Sequence, residues 1–118
     1  MKTAHLVNAV EMSELSANFE LLPHEIRYWG LHTGDLAKVC APFPKTEDEY
    51  TGERFWVIVT QAKPGHYQGT IDNDLKHSNL HGLQFGDLIA FDYRHIYQIC
   101  HRSKLNEWIS EIEERAKE

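Results

Sequence analysis

The sequence predicts an α+β fold: a small, partly open β-barrel of about five strands, SH3-like, with an N-terminal helical segment before it and a docked C-terminal helix after it. Three observations predict it. The phrase Leu31-His32-Thr33-Gly34-Asp35-Leu36-Ala37-Lys38-Val39 returns as Leu83-Gln84-Phe85-Gly86-Asp87-Leu88-Ile89-Ala90-Phe91, each time a Gly-Asp pair leading into an apolar run. Glycine supplies the positive φ of a sharp turn and Asp accepts from nearby amides, so both phrases read as turns that launch strands. The stretch Glu53 to Ile71 is β-branched and aromatic, and from Ser103 onward apolar residues fall at helical spacing.

At 118 residues the chain fits one domain, 1–118, divided into a mixed or helical segment (1–30), a β-core (31–100) and a C-terminal helix (103–117). Ala4 to Val10 reads as a strand and Ser13 to Phe19 as one or two helical turns. Leu22 to Gly30 reads as a short helix, with Pro23 in the first turn, Gly30 at the end, and Ile26 and Trp29 on one face. Leu36 to Ala41 is the first core strand. The stretch from Pro42 to Gly52, with two prolines and three acids, is the longest expected loop. In the next strand Phe55, Val57 and Val59 share one face and Trp56, Ile58 and Thr60 the other, which predicts burial on both sides.

The Lys63-Pro64-Gly65 turn should then pair this strand with His66 to Ile71 as a hairpin. Leu88 to Phe91 and Ile96 to Ile99 are the remaining strands, separated by Asp92-Tyr93-Arg94-His95. In the final segment Ser103 is a plausible N-cap, and Leu105, Trp108, Ile109, Ile112 and Ala116 make an apolar face. Glu111 to Arg115 and Glu113 to Lys117 are well-oriented i,i+4 pairs. That face should dock on the open end of the barrel.

Composition excludes several function classes. The formal net charge is −6 and no run of Lys and Arg occurs, so nucleic acid is disfavoured as a partner. A basic protein suits that charge better. No window approaches the roughly 20 apolar residues of a membrane span, which predicts a cytoplasmic protein without membrane contact. Cys40 and Cys100 make no C-x-x-C and read as buried free thiols.

Two constellations carry candidate chemistry. Asp72-Asn73-Asp74 resembles the start of a cation-binding loop, and His77 and His81 sit four apart, so Asp72, Asp74, His77 and His81 form the metal-site alternative for a small metalloprotein or metal-dependent enzyme. The calcium-loop pattern is incomplete and no H-E-x-x-H occurs. The favoured reading is therefore a turn whose Asp and Asn side chains bind backbone amides. No catalytic residue and no cofactor is assigned. Adjacent Cys100 and His101 would point to opposite faces of a strand and cannot act together. The second constellation is aromatic: Tyr67, Tyr93 and Tyr97 are the residues expected at an exposed, polar-tipped surface. With Asp72, Asn73 and Asp74 they make the candidate binding surface of a non-catalytic, protein-binding module.

Gly52-Glu53-Arg54-Phe55-Trp56-Val57, Gly69-Thr70-Ile71-Asp72-Asn73-Asp74, Leu83-x-x-Gly86-Asp87-Leu88-Ile89-x-Phe91 and His95-Ile96 follow one another in that order. The string resembles a bacterial and phage family of small domains of unknown function, whose pattern runs G-E-R-[FM]-W-V, G-x-[IVL]-D-N-D, L-x-x-G-D-x-[IV]-x-F and H-I. Upstream, Pro23-x-Glu25-Ile26-Arg27 and Gly34-Asp35-Leu36-x-Lys38-Val39 are similar to that family's entry segment. The resemblance spans Pro23 to Ile99. It implies a compact β-domain and supplies no catalytic residues.

Overall fold

A computed structural model describes residues 1–15, 20–44, 50–102 and 114–116. Its centre is the hairpin of β2 (Tyr50–Lys63) and β3 (His66–Ile71), closed at Pro64-Gly65 as the turn chemistry requires. β1 (Leu36–Pro44) pairs with the outer side of β2, and β4 (Leu88–Asp92) with the outer side of β3. β5 (Gln98–Cys100) returns beside β1, giving an antiparallel sheet in the order β4-β3-β2-β1-β5. β4 and β5 do not pair, so the sheet is open. Short helices accompany it among the described residues, α1 (Ala9–Leu15), α2 (His24–Trp29) and α3 (Ser78–His81), with a 3-10 turn at Tyr93–His95. No helix among the described residues is long and apolar enough to cross a membrane.

The core follows from strand alternation. Phe55, Val57 and Val59 of β2 meet Ala37, Val39 and Ala41 of β1, Ile71 and Tyr67 of β3, and Ile89 and Phe91 of β4, with Leu31, Leu83 and Ile96 closing the edges. The other face of β2 is less covered than expected: Trp56 and Ile58 are half-buried and Thr60 is exposed.

The repeated phrase is a repeated structure. Gly34 and Gly86 take φ of 96° and 84°, values open to glycine and strained for other residues. Gly34 N–H donates to Val59 O and Val59 N–H to Asp35 O, at 2.8 and 2.9 Å. Gly86 N–H donates to Ile71 O and Ile71 N–H to Asp87 O, at 2.8 and 3.0 Å. Each carboxylate closes its own turn, Asp35 accepting from His32 N–H and Asp87 from Gln84 N–H, both at 2.9 Å. The register continues the equivalence: Leu36 faces Ile58 as Leu88 faces Thr70, and Ala37 faces Val57 as Ile89 faces Gly69. Since Val57 pairs with Ile71 and Val59 with Gly69, the β2–β3 ladder carries an approximate local two-fold.

Each outer edge is latched by a different end of the chain. β5 pairs with β1, and His101 Nδ1 lies 3.3 Å from Asp35 Oδ2. Lys2 bridges in parallel to Ile89, donates its N–H to Leu88 O at 2.8 Å, and places Nζ 3.1 Å from Asp87 Oδ2.

Several expectations are corrected. Ala4 to Val10 is not a strand, because Asn8 Oδ1 accepts from Val10 and Glu11 N–H and so starts α1 at Ala9. β1 runs on to Pro44 and β2 starts at Tyr50, so both ends of the loop expected from Pro42 to Gly52 are strand, and 45–49 lie outside the described residues. The last strand begins at Gln98 rather than Ile96, because Asp92 caps the 3-10 turn and buries Ile96 and Tyr97 behind it. Cys40 is buried as expected, but Cys100 is exposed. The helix expected over 103–117 and its docking face lie outside the described residues, apart from Glu114–Ala116, which are helical and exposed.

Candidate functional site

The loop from Asp72 to Gly82 is tied down by residues of the sheet. Glu53 lies on β2 just before its apolar run Phe55 to Val59, and its carboxylate accepts three N–H groups: Lys76 N–H on Oε2 at 2.7 Å, His77 N–H on Oε1 at 3.0 Å, and His81 Nε2–H on Oε1 at 2.9 Å. Leu83 N–H donates to His81 Nδ1 at 3.1 Å. A backbone amide only donates, so Nδ1 carries no proton and Nε2 does. Burial pushes the Glu53 carboxyl up, but the bonds from His81 and the two amides outweigh it and hold it below its ordinary value.

Both nitrogens of His81 are therefore engaged, and no lone pair faces outward for a metal. His77 stacks on Phe43 with centroids 4.5 Å apart. Asp72 faces Arg102 at 4.0 Å, and Asp74 is exposed. The four residues of the metal alternative are thus not brought to one point, and among the described residues no group of three or more His, Cys, Asp or Glu could hold an ion. Asn73 is the residue of the acidic triplet that binds backbone: its Oδ1 accepts from Trp56 N–H, while Asp72 N–H donates to Trp56 O. The loop is a structural clasp on β2.

The tyrosines divide differently from expectation. Tyr67 and Tyr97, read as surface residues, are each 3% exposed. The Tyr67 hydroxyl lies 2.8 Å from the carbonyls of both Arg27 and Tyr28, so its polar tip is satisfied inside the protein. Burial pushes the Tyr97 hydroxyl up to about 12, and Arg54 lies over its ring at 4.9 Å. Tyr93 alone of the three belongs to a surface.

That surface is built where α2, the 3-10 turn and the β2–β3 hairpin meet. Gly65 sits between them, donating to Tyr28 O at 2.8 Å and accepting from Tyr93 N–H at 3.1 Å. A Cβ on Gly65 would stand 2.4 Å from the Tyr28 ring, which explains the residue. Tyr28 has His24 stacked on it at 5.3 Å and Tyr93 and Trp29 edge-on at 5.2 and 5.0 Å. Beneath the rings Arg27, 4% exposed, donates from Nε to Leu22 O and from Nη1 to Tyr93 O, both at 2.9 Å. Burial lowers its pKa against the pull of Tyr93, and the guanidinium acts as a brace between α2 and the 3-10 turn.

Trp29 stands out from this framework, 63% exposed, with Ile26 of the same helix 41% exposed. Beside Trp29 opens a hollow of about 180 Å³ walled by Tyr28, Leu31, Lys63, Pro64 and Tyr67. Arg94 nearby is neutralised by Asp92, through Nη2–Oδ2 at 2.8 Å and Nε–Oδ1 at 3.1 Å. Sequence reasoning places Trp29 with Ile26 on one face of a short helix and does not single it out as a functional candidate. The nucleophile reading gains nothing here: burial raises the Cys40 thiol against the pull of Arg54, and His101 turns to Asp35. No protein-family model, curated protein or solved structure matches this chain.

Proposed function

We propose that this chain is a non-catalytic protein-binding module whose partner docks on the aromatic face centred on Trp29. The carrying observation is a large ring held out of the core, 63% exposed, on a frame of packed rings beside a hollow. Tryptophan on a rigid support next to a pocket is the usual anchor of a protein interface. The charge pattern favours protein over nucleic acid, because Arg94 is spent on Asp92 and Arg27 lies inside, leaving Lys63 as the outward Lys or Arg of the hollow among the described residues. Such a face offers no track for phosphates.

The strand order β5-β1-β2-β3-β4, with a 3-10 turn just before β5, supports an SH3-like arrangement of the sheet. Two unpaired cysteines support a cytoplasmic setting, and the ordered motifs from Pro23 to Ile99 support the likeness to the bacterial and phage domains. The test compares the wild-type chain with Trp29→Ala as bait in host extract, followed by titration of the recovered partner in purified form. The reading expects a weakening of about tenfold or more with an unchanged melting temperature, as for a hot-spot residue. Equal affinity for both baits would place the binding surface elsewhere.

A further inference from the structure

A second hollow lies away from the aromatic face and shares none of its residues. It measures about 360 Å³, within the range of small-ligand sites. Its floor is the outer face of β1 and β2, with Cys40, Gly52 and Arg54, and its roof is Val7, Met12 and Tyr97. The roof is fixed: Val7 N–H donates to Cys40 O at 2.9 Å, Tyr97 N–H to Lys38 O at 2.8 Å, and Ala9 packs with Cys40 and Tyr97 in a small core of their own.

The chemistry of the walls is uneven. Val7, Met12, Pro42 and the Tyr97 ring are apolar, and no carboxylate of the described residues lines the space. The single charge among these lining residues is Arg54, whose guanidinium is laid over the Tyr97 ring at 4.9 Å. A guanidinium has five N–H donors in a planar fork, so it can hold a carboxylate in addition to its contacts within the chain. Stacking on Tyr97 orients the fork beforehand, which lowers the ordering cost of binding.

We infer that this hollow is a binding site for a small carboxylic acid with an apolar body, the body lying between Val7, Met12 and the Tyr97 ring and the carboxylate on Arg54. Cys40, in the floor, reports occupancy because a bound molecule covers its thiol.

The test uses the full chain carrying Cys100→Ser, which leaves Cys40 as its one thiol, with hydrocinnamate as probe and uncharged hydrocinnamamide as control. Calorimetric titration should show saturable binding of the acid, with the amide about tenfold weaker or worse, the effect of losing a charge-assisted pair. Alkylation of Cys40 by N-ethylmaleimide should slow as the acid saturates. Arg54→Gln should weaken the acid about tenfold and leave the amide unchanged, and Arg54→Lys, which keeps the charge without the fork, should fall between. Three results overturn the inference: no saturable binding, equal affinity for acid and amide, or binding that leaves Cys40 alkylation unchanged. If Arg54→Gln unfolds the protein, the acid–amide ratio and the Cys40 protection still decide.

Discussion

Glu53 and His81 meet at 2.9 Å across 28 residues of chain, and that contact turns a loop rich in metal-ligating residue types into a clasp. The carboxylate is nearly enclosed, His81 more so, at 11% and 3% side-chain exposure. Glu53→Ala removes the acceptor of three N–H groups at once. Urea unfolding should show a loss of about 3 kcal/mol, the scale of leaving several donors without their charged acceptor. A loss no larger than that of an exposed surface substitution would show that the clasp contributes nothing.

Acid should weaken the fold in two stages. Burial holds His95 below its ordinary value despite Asp92, so the unfolded chain takes up that proton more readily and stability falls as pH drops below about 6.5. Glu53, Asp87 and Asp92 are each pushed up by burial but pulled further down by hydrogen bonds, with Lys2 beside Asp87 and Arg94 beside Asp92 adding to the pull. Their contribution is present above the unfolded carboxylate range near pH 4 and is lost as pH falls through the lower folded values. Urea midpoints measured across this range should show both stages, with His95→Gln removing the first and Glu53→Gln shrinking the second.

The two Gly-Asp turns should not tolerate substitution equally. Asp35 is fully buried, whereas the Asp87 side chain is 25% exposed and rests on Lys2. Asp35→Ala removes a fully buried carboxylate that closes its turn through His32 N–H and faces His101, and should cost about 2 kcal/mol or more, and Asp87→Ala about 1. Thermal melts of the two variants give the comparison, and the reverse order would contradict it.

Tyr67→Phe and Trp29→Ala should separate stability from binding. The first removes a buried hydroxyl bonded to main-chain carbonyls and should cost about 1 kcal/mol. The second removes a much larger but exposed ring and should leave the melting temperature within error. Chemical denaturation of the two proteins side by side checks both.

Local signals in the sequence located the hairpin, both turns and β3, because turn glycines and strand alternation act within a few residues. The clasp was not legible, since nothing near His81 names Glu53 as its partner. Glu53 and Arg54 stand together before the apolar run Phe55 to Val59, and the sequence does not say which of the two turns to a buried partner. Tyr67 and Tyr97 were misplaced for a related reason. A small barrel leaves some aromatics at its surface and the polar-tipped ones suit it best, but the Arg27 and Tyr28 carbonyls that receive the Tyr67 hydroxyl come from about 40 residues away. Trp29 was hidden by helical spacing, which pairs it with Ile26 but does not say that both face outward.

Two strands with the same launching turn lie on equivalent sides of one hairpin, and this sets a problem of self-recognition during folding. β1 presents to β2 nearly the same signature that β4 presents to β3, so an exchanged pairing competes with the native one. The departures from symmetry break the tie. β1 runs nine residues against five for β4, a register shift between Val59 and Gln61 distorts only the β2 side, and β5 and Lys2 each fit only one edge. Lengthening β4 or relieving that irregularity would make the two assemblies more nearly isoenergetic, and a chain so altered would lose the single folded state before it lost its secondary structure.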